Sequence, residues 1–118
     1  MILKLLKRLL FGRKISQISH KNFQKRLSEI IQKDSFRQVI ELDKLYHHIL
    51  LELGYSGSFG NILKKNPREI DDIEIVWRLH KIRNRLVHDE KHISNHILHK
   101  DTQSYCREIK RILGKIKS

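Results

Sequence analysis

The sequence has few of the features that stabilise other classes of protein, such as paired cysteines and the alternating pattern of β-strands. A single cysteine, Cys106, excludes a disulfide within the chain of 118 residues and is typical of a reducing compartment, so we interpret it as a packing residue. No stretch alternates apolar and polar residues for long enough to predict a β-sheet. The length suits one domain with one hydrophobic core. The sequence therefore indicates a single helical domain.

Acidic residues are also scarce. The chain has 13 Asp and Glu against 25 Lys and Arg, which gives a formal net charge of +12. Such a chain is attracted to polyanions, so nucleic acid, an acidic membrane surface and an acidic protein are the expected partners. Charge alone does not choose among these three.

Residues 1–13 are predicted to form an amphipathic basic helix, with leucine and isoleucine on one side and Lys4, Lys7 and Arg8 on the other. The cations interrupt any signal-peptide core, and the segment is far too short to span a bilayer. Two interpretations stay open. The helix packs on the body or on a second subunit, or it lies on an anionic membrane, which would place a cytoplasmic protein at the inner face of the membrane.

Residues 14–118 carry apolar side chains at helical spacing and are predicted to form the main domain. The predicted helices are one ending near Lys33, one from Asp34 or Ser35 to Leu53, a short one from Ser58 to Lys65, one from Asp72 to His88, and one from Lys100 to Ile116, with Tyr105 on its inner side. Gly54 stands just after the second helix, where a left-handed C-cap is wanted. The predicted fold class is all-α, an antiparallel bundle of four to five helices.

Two charged residues fall on the apolar side of their predicted helices. On a helical wheel Arg83 is flanked by apolar residues of its own helix, among them Val87, and Asp43 projects between Val39 and Tyr46. An unpaired charge removed from water costs several kcal/mol, so both residues need partners. We therefore predict an ion pair between Asp43 and Arg83, which is also the purely structural explanation of Arg83.

The run that begins at Arg83 contains a recognisable motif. Arg83-Asn84-x-x-x-His88, at the end of a helix in a small helical domain, resembles the R-x4-6-H motif of the HEPN superfamily. The wider context of this resemblance, over roughly residues 35 to 113, consists of Glu41-Leu42-Asp43-Lys44, Gly54-Tyr55-x-Gly57 and Trp77-x-x-His80-Lys81. The resemblance implies a four- or five-helix bundle that forms a homodimer, with the motif helices meeting across the two-fold axis. It also implies a metal-independent endoribonuclease, or an RNA-binding, toxin-antitoxin or assembly module without activity.

Metal-free RNA cleavage needs a base for the ribose 2′-hydroxyl and donors for the charge that builds on the phosphate. His88 is the candidate acid and base, Arg83 the candidate phosphate ligand, and Asn84 would orient either one. His80 is a second candidate acid or base at the rim of the site, and Trp77 a candidate for stacking on a base.

One geometric condition and one departure from the pattern of active HEPN proteins bear on the catalytic hypothesis. In an ideal helix Arg83 and His88 point about 140° apart, so they converge only if the helix turns near Leu86 or if a two-fold axis brings two copies together. Glu90, two places after the histidine, would repel phosphate, which disfavours cleavage but is compatible with RNA binding.

No metal or cofactor is predicted. His88, His92 and His96 share a four-residue spacing, but the glutamate stands one place late for the H-E-x-x-H zinc motif, and the positive net charge disfavours a cation. Two hypotheses remain. One is a HEPN-like RNA-binding module or endoribonuclease, with an antitoxin or other protein as its partner; the other is a non-catalytic helical dimer whose basic N-terminal helix docks on a membrane or partner.

Overall fold

A computed structural model describes residues 13–88 and 94–118, and it contains five helices and no β-strand in these ranges. The helices are α1 (Gln17–Ile30), α2 (Ser35–Glu52), α3 (Phe59–Lys64), α4 (Ile73–His88) and α5 (Asn95–Ile116). The predicted all-α class is thus confirmed for this part of the chain. The predicted N-terminal helix lies outside the described residues except for Arg13, which is not helical, and Glu90 and His92 also lie outside them.

Short polar side chains fix where the helices begin. The residues whose side chains accept a backbone N–H three positions ahead are Ser16, Asp34, Ser58, Asp72 and Ser94. Each of them satisfies a donor that the first turn of a helix leaves unpaired. Two predicted boundaries were wrong: α1 ends at Ile30 instead of near Lys33, and α5 begins at Asn95 instead of Lys100.

The core is built around α2, which packs against α1, α4 and α5. Six side chains of α2 are essentially inaccessible to solvent: Val39, Leu42, Leu45, Tyr46, Ile49 and Leu50. Burying a large apolar side chain contributes about 1.5–3 kcal/mol, so this helix supplies a large share of the hydrophobic stabilisation. Within the described ranges, neither α2 nor any other helix is long and apolar enough to cross a membrane.

Contacts between helix ends give the directions of the helices. The hydroxyl of Ser19, near the start of α1, donates to Glu52 at the end of α2 over 2.8 Å. Asp71, just before α4, contacts Lys115 near the end of α5. The helices of each pair therefore run in opposite directions, and α4 lies alongside α5 with its middle next to the middle of α2.

Candidate functional site

Asp43 is a buried acid at the middle of α2, only 4% exposed. Its Oδ2 accepts a hydrogen bond from the hydroxyl of Tyr105 at 2.7 Å and lies 3.0 Å from Nδ1 of His80. Its Oδ1 lies 3.7 Å from Nε of Arg83. The carboxylate thus has partners from both α4 and α5. We call these four residues, together with Asn84, the Asp43 network.

Helical spacing and burial explain why these side chains meet. His80 stands three residues before Arg83 and four before Asn84, so all three project from neighbouring parts of α4. Tyr105 of α5 is fully buried, and a buried hydroxyl requires a hydrogen-bond partner, which Asp43 supplies. Burial and the nearby charge of Asp43 raise the pKa of Tyr105 well above its usual value, so the phenol stays protonated and remains a donor.

The predicted pair of Asp43 and Arg83 is present only as a contact longer than a hydrogen bond. Nε of Arg83 is buried and has no hydrogen-bond partner among the described residues, although the whole side chain is 33% exposed. His80 and Tyr105 approach the carboxylate more closely than Arg83 does. Arg83 is therefore one of three partners of this acid, and part of its side chain faces solvent.

Arg83 and His80 are also connected through Asn84. Nη1 of Arg83 donates to Oδ1 of Asn84 at 3.0 Å, and Nδ2 of Asn84 lies 3.5 Å from Nε2 of His80. Because the amide oxygen of Asn84 accepts from the guanidinium, its amide nitrogen faces Nε2 of His80 as a donor. Nε2 of His80 is then the acceptor, and Nδ1 carries the hydrogen that is donated to Asp43. The buried acid thus orients His80, and His80 and Arg83 together orient the Asn84 amide.

His88 is exposed at the last position of α4. The helix continues through Leu86 to His88, so the predicted turn before the histidine is not formed and that route to convergence is wrong. The side chain of Arg83 nevertheless reaches Asn84, which points only about 40° from His88 around the helix axis. The guanidinium therefore lies on the His88 side of its own backbone position. Convergence across a two-fold axis concerns a second chain and stays a prediction.

Trp77 lies next to the Asp43 network on α4 and is partly buried against the core. A Cβ placed on Gly60 of α3 would lie 3.9 Å from the indole Cη2 and 3.9 Å from Nε2 of His80, so α3 backs both rings. Nζ of Lys81 lies 5.9 Å from the centre of the indole ring. Of the residues that the structure describes, only those of α4 line an open depression next to this tryptophan. We call them the basic face of α4: Glu74, Trp77, Arg78, Lys81, Ile82 and Arg85.

Phe59 of α3 lies between the core and the site. Its ring stacks on Tyr46 of α2 with centroids 5.6 Å apart, and it contacts the ring of His80 at 4.7 Å. One side of the His80 ring therefore packs on an aromatic side chain that is itself fixed by the core. His80 is held by this packing as well as by its hydrogen bond to Asp43.

Two features of the site were missed from sequence. Tyr105 was expected only to point inward, and His80 was placed at the rim, whereas its side chain is only 12% exposed. A usable signal was present, because an inward tyrosine hydroxyl and an inward carboxylate each require a partner. What sequence did not give was that Asp43 and Tyr105, which stand 62 positions apart, meet each other.

No group of three or more His, Cys, Asp or Glu side chains that could hold a metal ion occurs in residues 13–88 and 94–118. No protein-family model, curated protein or solved structure matches this chain. The resemblance to the HEPN superfamily therefore stays a prediction from the motif residues.

Proposed function

We propose that this chain is a HEPN-like RNA-binding domain that cleaves RNA without a metal ion at a site formed by Arg83, Asn84 and His88. The observation that carries the proposal is the Asp43 network, which orients a partly exposed guanidinium and an amide on the His88 side of α4. The net charge of +12 favours a polyanionic substrate.

Arg83 suits phosphate because its guanidinium offers several donors in a planar fork. Its Nη1 is used by Asn84, and its Nε lies too far from Asp43 for a hydrogen bond. The carboxylate therefore holds the cation by charge without a close bidentate contact. A phosphate oxygen that approaches the exposed part of the side chain gains a charge-assisted hydrogen bond and leaves the buried pair in place.

Cleavage would proceed by attack of the ribose 2′-oxygen on the adjacent phosphorus. His88 in its neutral form takes the 2′-hydroxyl proton, the new 2′-oxygen to phosphorus bond forms, and the bond to the 5′-oxygen breaks. The imidazolium of His88 returns the proton to the leaving 5′-oxygen. Arg83 stabilises the charge that builds on the phosphate, and Asn84 orients the phosphate or the histidine. The products are a 2′,3′-cyclic phosphate and a 5′-hydroxyl.

The test incubates the purified chain with mixed single-stranded RNA in excess EDTA and identifies the ends of the products. The wild type should yield 2′,3′-cyclic phosphates, and His88→Ala should slow cleavage by about 100- to 10,000-fold because the acid and base is lost. His96→Ala, which removes an exposed histidine of α5, is the matched control and should cleave as the wild type does. Equal rates for His88→Ala and the wild type would contradict the catalytic role. RNA that passes unretained over the immobilised protein at low salt would contradict the RNA-binding role.

A further inference from the structure

We infer that the basic face of α4 binds single-stranded RNA, with one base stacked on Trp77 and the neighbouring phosphates held by Lys81 and Arg85. The inference rests on the proposed function and names the form of RNA that the site takes. No other helix in the described residues lines this surface.

Trp77 lies where its indole ring can stack with a nucleobase. One edge of the indole is supported by Gly60 and the core, while the side chain remains partly exposed. The ammonium of Lys81, 5.9 Å from the ring centre, is near the outer limit of a cation–π contact, so an entering base replaces only a weak interaction. Every nucleobase has a face that stacks on an aromatic ring, which makes such binding tolerant of sequence.

The charges around Trp77 favour a phosphate backbone as the occupant. Arg78, Lys81 and Arg85 line the depression, and Glu74 is the one acid among its described residues. Arg78 is tied to Asp101 at 3.3 Å yet keeps 55% of its side chain exposed. A second copy of this chain would bring the same excess of cations against itself across a two-fold axis. A nucleic-acid strand instead supplies anions at a regular spacing.

The proposed RNA path also continues into the motif site. Trp77, Lys81, Asn84 and His88 follow one another at intervals of four, three and four residues, which places them in one stripe along α4. Trp77 and His88 are about 16 Å apart along the helix axis, a distance that a few nucleotides span. A base inside a duplex is covered by its neighbours and cannot stack on a protein ring, so the strand bound here is single.

The experiment uses Trp77 as its own reporter, since it is the one tryptophan of the chain. Labelled 2′-O-methyl oligouridylate, which has no free 2′-hydroxyl and is therefore not cleaved by the proposed mechanism, is titrated with the protein in EDTA. RNA anisotropy and tryptophan emission are followed together. Single-stranded RNA should quench the emission as it saturates the protein. Inorganic polyphosphate, which has charge but no bases, should compete for binding without quenching.

Substitutions separate stacking from charge. Trp77→Ala should weaken oligouridylate binding by about 5- to 150-fold, whereas Trp77→Phe, which keeps a ring, should lose far less. Lys81→Ala should bind less tightly than Lys25→Ala, the matched control on the exposed face of α1. Since the quenching is measured on the wild type, the test holds even if Trp77→Ala does not fold.

The outcomes distinguish the two proposals. Tight RNA binding with unchanged tryptophan emission, and equal affinities for Lys81→Ala and Lys25→Ala, would overturn the inference and leave RNA binding intact. Absence of RNA binding at low salt would overturn the proposed function itself. Tryptophan emission that changes with protein concentration, a dimer in sedimentation and no quenching by RNA would assign this face to a second copy and overturn the inference.

Discussion

Asp43 shows how one residue can organise a surface from inside the fold. An ionised carboxylate that is almost fully buried is costly unless it is paired and hydrogen-bonded, and here Tyr105, His80 and Arg83 share that task. Two of these partners are held in the core, and the third extends to solvent. A single acid therefore fixes the position of side chains that the proposed site exposes to RNA.

We predict that Asp43→Asn lowers the free energy of unfolding by about 3–5 kcal/mol, because it leaves buried donors of Tyr105 and His80 without their charged partner. Urea unfolding followed by circular dichroism measures the change. Glu41→Gln on the same helix is the control, since its 3.9 Å contact with Lys33 is substantially exposed and should contribute at most about 1 kcal/mol. Equal losses in the two variants would contradict the role given to Asp43.

Helical periodicity was sufficient to place Asp43 and Arg83 on the inner side of their helices. It did not show that other side chains approach the carboxylate more closely than Arg83 does. Whether Nε or Nη1 of Arg83 finds an acceptor depends on side-chain torsions and on Tyr105, which belongs to a later helix. The same periodicity placed Val87 among the apolar residues that flank Arg83, yet Val87 is 46% exposed. A helical wheel shows only the direction in which a side chain points around the helix axis. It does not show whether a neighbouring helix extends far enough to cover that side chain.

The helices themselves begin where local chemistry dictates, which is why most of their starts were predictable. The start of α5 was missed because residues 95–99 carry little apolar periodicity, whereas Ser94 accepts the N–H of Ile97 and Leu98 is buried. The end of α2 was predictable from Gly54, which has a φ of +104° and whose N–H donates to the carbonyl of Leu51 at 3.0 Å. A left-handed residue at this point ends the helix and turns the chain towards α3.

Two glycines should respond to alanine in opposite directions. Gly54→Ala forces a Cβ into a positive-φ conformation and should cost about 1–2 kcal/mol of unfolding free energy. Gly114→Ala, in the last turn of α5, would place its Cβ more than 4 Å from every described atom outside the adjacent backbone, and should gain up to about 1 kcal/mol from the higher helix propensity. Urea unfolding of both variants measures the difference, and changes of the same sign would contradict the assigned backbone roles.

At the scale of the whole molecule, the proposed function gives the excess of cations the role of attracting RNA, and it gives the site the role of positioning and cleaving the bound strand. Counterions released from phosphate make such binding strongly dependent on salt, by about 0.7 in the slope of log affinity against log salt for each contact with a single strand. The charge was readable from composition alone. Composition does not show which of the 25 basic residues would contact phosphate, because this depends on how the helices present them.

We predict that Arg83→Ala reduces the salt slope of oligouridylate binding by about one phosphate contact. Arg107→Ala removes the same charge from an exposed position on α5 and is the control, so it should leave the slope close to that of the wild type. Fluorescence anisotropy between low and physiological ionic strength gives both slopes. Equal slopes for the two variants would show that Arg83 contributes only general charge.

The contacts of Phe59 with both Tyr46 and His80 have an evolutionary consequence. Substitutions in the connection from 54 to 72 can move this ring and, through it, shift the imidazole by fractions of an ångström without altering any group that is proposed to contact RNA. If the proposed function holds, chains that share the motif are then free to diverge in target preference through this connection. Swapping it between such chains would transfer their selectivity, while every proposed ligand of the phosphate stays the same.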